Sequence, residues 1–408
     1  MAITKEKLAE RLKRERNRLE LTQEEVAERL GVKRPTIAQI EAANRDVSSI
    51  ELSQLARIYK RDIAYFLSAS EEALGIMHLR ANGELDAVVR ETLEKCITVC
   101  REATSLESLL RRHRHGFPFS YTLDRPRSRW EAVEQGRRVA VMERRRLDLG
   151  GLPVRNIVEI IAQHGVRVAR YTLTDDIGGI FFVGADTGAV ILVNAGHSAT
   201  RRLFSYAHEY AHLLLDSAQT PHGVSRFSNR DDVLEVRANA FAAHFLMPEE
   251  GARAFLDGIG GPTRQVMEIY DGNQEQPQSR DEDLLTAQRR AAPGSQEVRM
   301  IDAVHLARHF GTSYEATVYH LLNLKMIQRE TQEKLFKNKE QAEQLNTLLG
   351  PSPYPYLEQE TMADLKQAMV NLTVEALLQG QISYPKACEN MRLIDVAPQR
   401  LESLKTKH

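Results

Sequence analysis

The sequence has few of the residues that mark exported or membrane-spanning proteins. Its 408 residues include three cysteines and one tryptophan. A sparse and odd cysteine count argues against a disulfide framework of the kind that holds small secreted domains together. No apolar run reaches the roughly 20 residues that a membrane-spanning helix needs. We therefore expect a cytoplasmic protein without a membrane partner.

The chain also lacks an excess of charge of one sign. Lys and Arg number 55 against 56 Asp and Glu, so the formal net charge is −1, and 42% of the residues are hydrophobic. This composition is typical of a soluble globular protein. The length is sufficient for two or three domains.

One motif carries catalytic chemistry, namely His208-Glu209-Tyr210-Ala211-His212. Apolar residues at helical spacing from Arg201 to Leu215, without Pro or Gly, predict that the motif lies on a helix. Two histidines four residues apart then point the same way and can bind one Zn²⁺ at about 2.0–2.1 Å. Glu209 remains available to take a proton from the zinc-bound water and pass it to the leaving amine.

A catalytic zinc ion normally has three protein ligands, so a third residue must join the two histidines. The best candidate is Glu235, which lies a turn before an apolar stripe that could pack against the first helix. That stripe comprises Ala238, Phe241, Ala242 and Phe245. His222 and Asp216 are alternatives that lie closer in sequence. Asp216 is better placed as a partner that orients the His212 imidazole.

The chain resembles the ImmA/IrrE metallopeptidases over more than this motif. The matching segments are Arg137 to Gly165, the β-rich runs Gly179–Val183 and Ala189–Asn194, Arg202–Phe204, Glu235 to Phe241, and Leu246–Pro248. The resemblance implies an α+β zincin-like domain with one Zn²⁺ per chain on His208, His212 and Glu235. It also implies a bacterial intracellular protease that cuts a repressor-type protein, in transcription regulation or stress response.

Two positions depart from the pattern of this family. Asp216 stands where many relatives have a histidine, and His244 stands where an acidic residue is common. The core ligands are not affected by either departure.

The β-rich runs predict an antiparallel hairpin before the zinc helix. Its edge could hold an extended substrate by β-augmentation, or the hairpin could only support the helix.

The N-terminal region contains a second recognisable pattern. Thr22 as N-cap with Glu25 at the third helical position, and a stop at Gly31, predict a capped helix. A second helix with Pro35 in its first turn follows at once. Residues 5 to 67 resemble the helix-turn-helix of the phage-repressor (XRE) family. The resemblance implies a phosphate contact from Gln23 and major-groove contacts from a further set of residues. That set is Lys33, Arg34, Thr36 and Gln39.

Two features between these regions leave alternatives open. Apolar residues spaced alternately by four and three from Leu85 to Leu110 predict a long helix. Its seam could form a homodimer or pack within the same chain. The cluster from Arg111 to His115 could reinforce DNA binding or form a solvated helix face.

The predicted fold class is mainly α with a small antiparallel sheet in the peptidase domain, plus an all-α helix-turn-helix domain. The predicted domains are 1–68 (helix-turn-helix), 69–126 (helical connector and possible dimerisation seam), 127–328 (zinc peptidase, with a mobile loop near 271–298) and 329–408 (helical C-terminal region). The predicted function is a zinc-dependent regulatory endopeptidase that cleaves a repressor-type protein and binds double-stranded DNA or that repressor. The alternative is a transcription regulator whose zinc-peptidase fold acts as a sensor.

Overall fold

The computed structural model describes residues 4–19, 21–59, 63, 66, 86–112, 120–259, 297–350, 354 and 364–407. The chain divides into two compact units, Met1–Leu74 and Gly75–His408. Most of the loop predicted near 271–298, and the histidines of the arginine cluster at 113 and 115, lie outside the described residues. None of the described helices combines the length and apolar composition that crossing a bilayer requires.

Four described helices form the body of the first unit. They are α1 (Lys5–Arg18), α2 (Gln23–Leu30), α3 (Arg34–Glu41) and α4 (Ser49–Ile58). The capping box predicted at Thr22 and Glu25 is present, and α2 ends at Gly31 in the left-handed conformation, with φ 75°. Ile37 and Ile40 bury the inner side of α3 against the other helices. The predicted all-α architecture of this region is confirmed.

A four-stranded sheet organises the second unit. Its strands are β1 (Val166–Tyr171), β2 (Ile177–Gly184), β3 (Gly188–Asn194) and β4 (His222–Arg226), in the order β1-β3-β2-β4. The predicted β2–β3 hairpin is antiparallel. However, β1 pairs with β3 in parallel, so the sheet is mixed. β1 and β2 run in opposite directions, so β3, which lies between them and is antiparallel to β2, is parallel to β1.

The outer side of the hairpin is covered by another strand. β4 pairs antiparallel with β2, with Phe181 opposite Gly223 and Phe182 opposite His222. The register shifts between Ile177 and Gly179, so a bulge lies at this end of β2. Neither hairpin strand is therefore an outer strand, contrary to the prediction that the hairpin itself could offer an edge to a substrate. Among the described strands, the outer positions belong to β1 and β4.

One face of the sheet packs against four helices. These are α6 (Arg129–Arg146), α7 (Ile157–Gln163), α8 (Ala199–Leu215) and α9 (Val233–Leu246). α6 and α9 lie unusually close because Gly136 has no side chain. A Cβ at this position would lie 2.4 Å from the carbonyl oxygen of Arg237 on α9. α9 also packs beside α8, which carries the predicted zinc motif.

The opposite face of the sheet is covered by segments from both ends of this unit. These are α5 (Ala87–Leu109), α15 (Leu365–Leu378), α16 (Tyr384–Leu393) and the 3₁₀ segment Pro398–Lys407. The α5 seam residues Val89, Cys96, Val99 and Ala103 are fully buried against the sheet and these C-terminal helices. Of the two alternatives for this seam, the structure shows the one within a single chain.

The remaining described helices form a bundle with its own core. They are α10 (Glu249–Ile259), α11 (Met300–Phe310), α12 (Tyr314–Asn323), α13 (Arg329–Lys337) and α14 (Lys339–Leu348). Leu306, Phe310, Val318 and Leu335 lie in that core, so packing continues across the predicted boundary at residue 328. The described chain is mainly helical with one small sheet, as predicted.

Candidate metal centre

Three side chains converge where α8 meets α9. His208 Nε2 lies 3.1 Å from Glu235 Oε2 and 3.1 Å from His212 Nε2, and His212 Nε2 lies 3.5 Å from Glu235 Oε1. In a tetrahedral zinc site with bonds of 2.0–2.1 Å, two ligand atoms are separated by about 3.3 Å. The three donors therefore fit a zinc ion, and no other such group occurs among the described residues.

Local helix geometry explains this convergence. His208 and His212 are one turn apart on α8 and point to the same side. Glu235 lies in the first turn of α9, where the helix dipole favours an acidic side chain. Asp232 caps that turn by accepting a hydrogen bond from the Leu234 backbone N–H. The carboxylate of Glu235 thus enters the site from a defined helix end.

Each histidine is oriented by a partner on its other ring nitrogen. His208 Nδ1 lies 3.0 Å from Asn239 Oδ1, and His212 Nδ1 lies 2.7 Å from Asp216 Oδ2. Because each partner atom is an oxygen that accepts a hydrogen bond, both rings carry their proton on Nδ1. Nε2 of each ring is then the atom that faces the metal position, where a metal would displace any proton that it carries. The Phe181 ring also stacks on His212, with centroids 5.3 Å apart and planes 10° apart.

A buried ionic chain extends outward from His212. Arg237 on α9 donates to Asp216 Oδ1, and its other terminal nitrogen donates to Gln135 Oε1 at 3.0 Å. The Arg237 side chain is 2% exposed. Gln135 itself donates to the backbone carbonyl of Asp124. The series His212, Asp216, Arg237 and Gln135 therefore links α8, α9 and α6.

Glu209 lies in the centre without joining the three donors. Its side chain is fully buried beneath β2, and neither carboxylate oxygen has a hydrogen-bonding partner of good geometry. Burial raises its pKa, against the effects of His208 and His212. A Cβ at Gly179 would lie 2.6 Å from the carboxylate, so only glycine leaves room for Glu209 at this point of β2.

Two of the three candidate donors, His212 and Glu235, have strongly shifted pKa values. Burial would lower the pKa of His212, but hydrogen bonds to Asp216 and Glu235 raise it to about 10. Burial would raise the pKa of Glu235, but its hydrogen bonds to His208 and His212 lower it to about 2. A carboxylate is thus held beside a protonated imidazole. A metal cation entering the site takes the place of that proton.

The alternative third ligand, His222, does not join the three donors, although it lines the cleft beside them. It is in β4 opposite Phe182, whose ring belongs to the core on the far face of the sheet. Because side chains alternate along a strand, His222 points away from α8. A cleft of about 600 Å³ borders the metal centre beside β4. Its lining includes Phe181, His212, Glu235, Gly223, Val224 and Ser225.

The predicted DNA-contacting residues divide into two groups. Lys33, Arg34 and Gln39 are exposed on or next to α3, and Thr36 is half-buried. Gln23 is engaged within the unit, because its Nε2 donates to Glu41 Oε2 at 2.9 Å. The same Glu41 carboxylate binds Arg16 through two nitrogens, at 2.6 and 3.0 Å.

Several residues of the centre were missed in the sequence analysis. Asn239 follows Glu235 by one helical turn, a spacing that could have identified it. Arg237 is a charged residue within a run of apolar helix positions, which is also a usable signal. Gly179, Phe181 and Gln135 approach the site from other elements, and no sequence spacing indicates them.

Comparison with known families agrees with this architecture. A model of the IrrE N-terminal-like domain, a peptidase family, matches residues 161–266, and a helix-turn-helix model matches residues 12–66. No match was found among curated proteins. The first match includes β1 to β4, α8 and α9, and the second includes α2 to α4. The chain therefore combines an IrrE N-terminal-like, metallopeptidase-type domain with an XRE-type helix-turn-helix domain.

Proposed function

We propose that this protein is a zinc-dependent endopeptidase in which His208, His212 and Glu235 bind the metal. The supporting observation is the convergence of these three donors at tetrahedral spacing while the adjacent Glu209 stays outside the set. When bound, zinc would polarise the scissile carbonyl and activate water. A site that only held a structural metal would have no use for a buried carboxylate beside it.

Glu209 is the proposed general base. Burial raises the pKa of this carboxylate, which makes it a better acceptor of a proton from the attacking water. The protonated form can then return the proton to the leaving amine. The space above it is kept by Gly179. The unpartnered oxygens of Glu209 are thus available for proton transfer instead of being engaged in structural hydrogen bonds.

The cleft beside β4 is the proposed substrate channel. It extends from His212 and Glu235 along Gly223 to Ser225. An extended peptide lying beside this outer strand would pass its scissile bond over the metal. A folded protein could present such a segment only from a loop or a locally unfolded region, which favours a narrow set of substrates.

The proposed substrate class is a repressor-type protein. Support comes from the helix-turn-helix domain in the same chain, which suggests binding to double-stranded DNA. Lys33 and Arg34 are exposed cations at the start of α3, suited to phosphate contacts. Binding near an operator would bring the peptidase close to the protein that occupies it.

The test uses the full-length protein. Zinc content is measured, and the protein is incubated with the repressor-type proteins encoded beside its gene. Glu209→Gln serves as the matched control, because it removes the base and leaves His208, His212 and Glu235 intact. We expect one zinc per chain in both proteins, and cleavage by the wild type alone. Zinc-loaded wild-type protein that cuts none of these candidates, together with a Glu209→Gln variant that regulates transcription normally, would favour the sensor alternative.

A further inference from the structure

The two metal-binding histidines are held by chemically different partners. His208 is oriented by Asn239, a neutral amide on the neighbouring helix. His212 is oriented by Asp216, a carboxylate whose other oxygen binds Arg237. The two rings approach the same metal position. Their partners differ in charge because one ring is reached from α9, by Asn239, and the other from the end of α8, by Asp216.

Asp216 occupies an electrostatically unfavourable position. It is the C-cap of α8, where the backbone carbonyls give the helix end a partial negative charge. The His212 ring that it binds is also acted on by two further carboxylates, Glu209 and Glu235. Among the described residues, Arg237 is the only Arg or Lys side chain paired with Asp216. Asp216 therefore depends on Arg237 for a compensating positive charge.

The charges of the complete centre balance only when Arg237 is counted. A divalent cation contributes +2, the three carboxylates of Glu209, Asp216 and Glu235 contribute −3, and Arg237 contributes +1, for a sum of zero. Buried charges are tolerated when they are paired and hydrogen-bonded. Both terminal nitrogens of the guanidinium meet this condition, through Asp216 and Gln135, whereas its buried Nε has no hydrogen-bond partner among the described residues.

We propose that Arg237 is a positioning residue of the metal centre. It holds one oxygen of Asp216, so the other accepts the Nδ1 proton of His212 and the ring presents Nε2 to the metal. This inference rests on the proposed metal site. Arg237 acts on the metal position through two intervening side chains, Asp216 and His212. Gln135 on α6 holds the other terminal nitrogen of the guanidinium.

The decisive experiment compares Arg237→Met with Arg144→Met. Arg144 is equally inaccessible, at 3% exposure, but donates to the backbone carbonyls of Gly150, Leu152 and Phe245, away from the three ligands. Zn²⁺ affinity of the full-length protein is measured by competition with a chelating dye, and stability by urea unfolding. We expect Arg237→Met to weaken Zn²⁺ binding by about 10–100-fold, the range for loss of a residue that orients a ligand. Arg144→Met should lower stability without changing the affinity for Zn²⁺.

Two further variants separate positioning from general destabilisation. Arg237→Lys keeps the positive charge and should restore most of the affinity. Asp216→Asn combined with Arg237→Met gives His212 a neutral partner like Asn239, and should lose no more affinity than Arg237→Met alone. The absorption spectrum of bound Co²⁺ reports ligand geometry and should change in Arg237→Met but not in Arg144→Met.

Three outcomes would overturn the inference. The first is wild-type affinity for Zn²⁺ in Arg237→Met, and the second is an equal loss in Arg237→Met and Arg144→Met. In both of these cases, Zn²⁺ binding by the wild-type protein would still support the proposed metal site. The third is a wild-type protein that binds no Zn²⁺, which would overturn the proposed function as well.

Discussion

The metal centre and the exposed face of α3 hold their polar side chains in opposite ways. In the centre, His208 and His212 are 6% and 4% exposed, and each has a hydrogen-bonding partner within the protein. On α3, Arg34 and Gln39 extend into solvent. A buried polar group needs hydrogen-bonding partners within the protein, whereas an exposed group can bind water until a ligand replaces it. The geometry of the first region is therefore set by folding and that of the second by binding.

This difference predicts different mutational behaviour. Changes in the centre should act through geometry, with large effects that salt barely alters. Changes on α3 should act through individual contacts and charges, with smaller effects that depend on ionic strength.

Loss of the third ligand should give the largest effect. Glu235→Ala leaves two imidazoles, which is too few for a catalytic zinc site. We expect Zn²⁺ affinity to fall by more than about 100-fold, the upper range for loss of an orienting partner, and proteolysis to vanish. Metal content after dialysis and a cleavage assay measure both. Wild-type zinc content in this variant would show that the centre is not assembled as described.

Addition of a single methyl group on β2 should give the next-largest effect. In Gly179→Ala the new Cβ would lie 2.6 Å from the Glu209 carboxylate and force it to move. A displacement of about 1 Å can cost about 100-fold in rate. Kinetic assays should show that loss in kcat with zinc retained. Gly178→Ala is the matched neighbour, since its Cβ would meet Ser205 Oγ at an ordinary 3.4 Å. Equal losses in both variants would contradict the packing explanation.

Acid should destabilise the fold through a buried histidine pair outside the centre. Burial lowers the pKa of His244 to about 3 and that of His320 to about 4, and their ring centroids are 4.7 Å apart. The unfolded chain takes up these protons near pH 6.5, so the stability is present above that pH and is lost as pH falls toward 4. At pH 5 the cost is about 2 kcal/mol for each histidine.

Urea unfolding of His244→Phe measures this contribution. The phenyl ring can keep the contact with His320 but cannot be protonated, so the variant should lose less stability than the wild type between pH 7 and pH 5. His305→Phe is the control, since this half-buried histidine lies outside the pair. An identical pH dependence in wild type and His244→Phe would contradict the assignment.

The α3 surface should give the smallest and most salt-sensitive effects. The ligand is a duplex selected from a random pool by the full-length protein. Lys33→Ala should weaken binding uniformly across sequences and reduce the salt slope by about 1. Gln39→Ala should instead relax the preference for one base pair, at a cost of about 1 kcal/mol. Salt-independent losses at both positions would break the contrast with the metal centre.

The sequence predicts local features of both regions well. Helical spacing places His208 and His212 on one side of a helix, and turn chemistry locates the caps at Thr22 and Gly31. These features depend on neighbours within one turn. Apolar periodicity likewise predicts the long helix over Ala87–Leu109.

What the sequence does not predict is contact between distant segments. The amide of Gln23 binds Glu41 across the unit, a contact that the sequence does not indicate. The parallel pairing of β1 with β3 depends on which strand inserts between two others. Arg237 becomes meaningful only when α8 and α9 are packed side by side. Each of these depends on tertiary packing, for which a single sequence carries no spacing rule.

The sheet has a consequence for how this protein can be divided. Residues 161–266, which match the IrrE N-terminal-like domain, contain all four strands. One face of those strands is sealed by α5 from before this stretch and by α15 and α16 from far beyond it. Excising the recognisable stretch would expose Ile180, Phe182 and Leu192 to water. The segment that matches the family model is thus smaller than the segment whose packing buries both faces of the sheet.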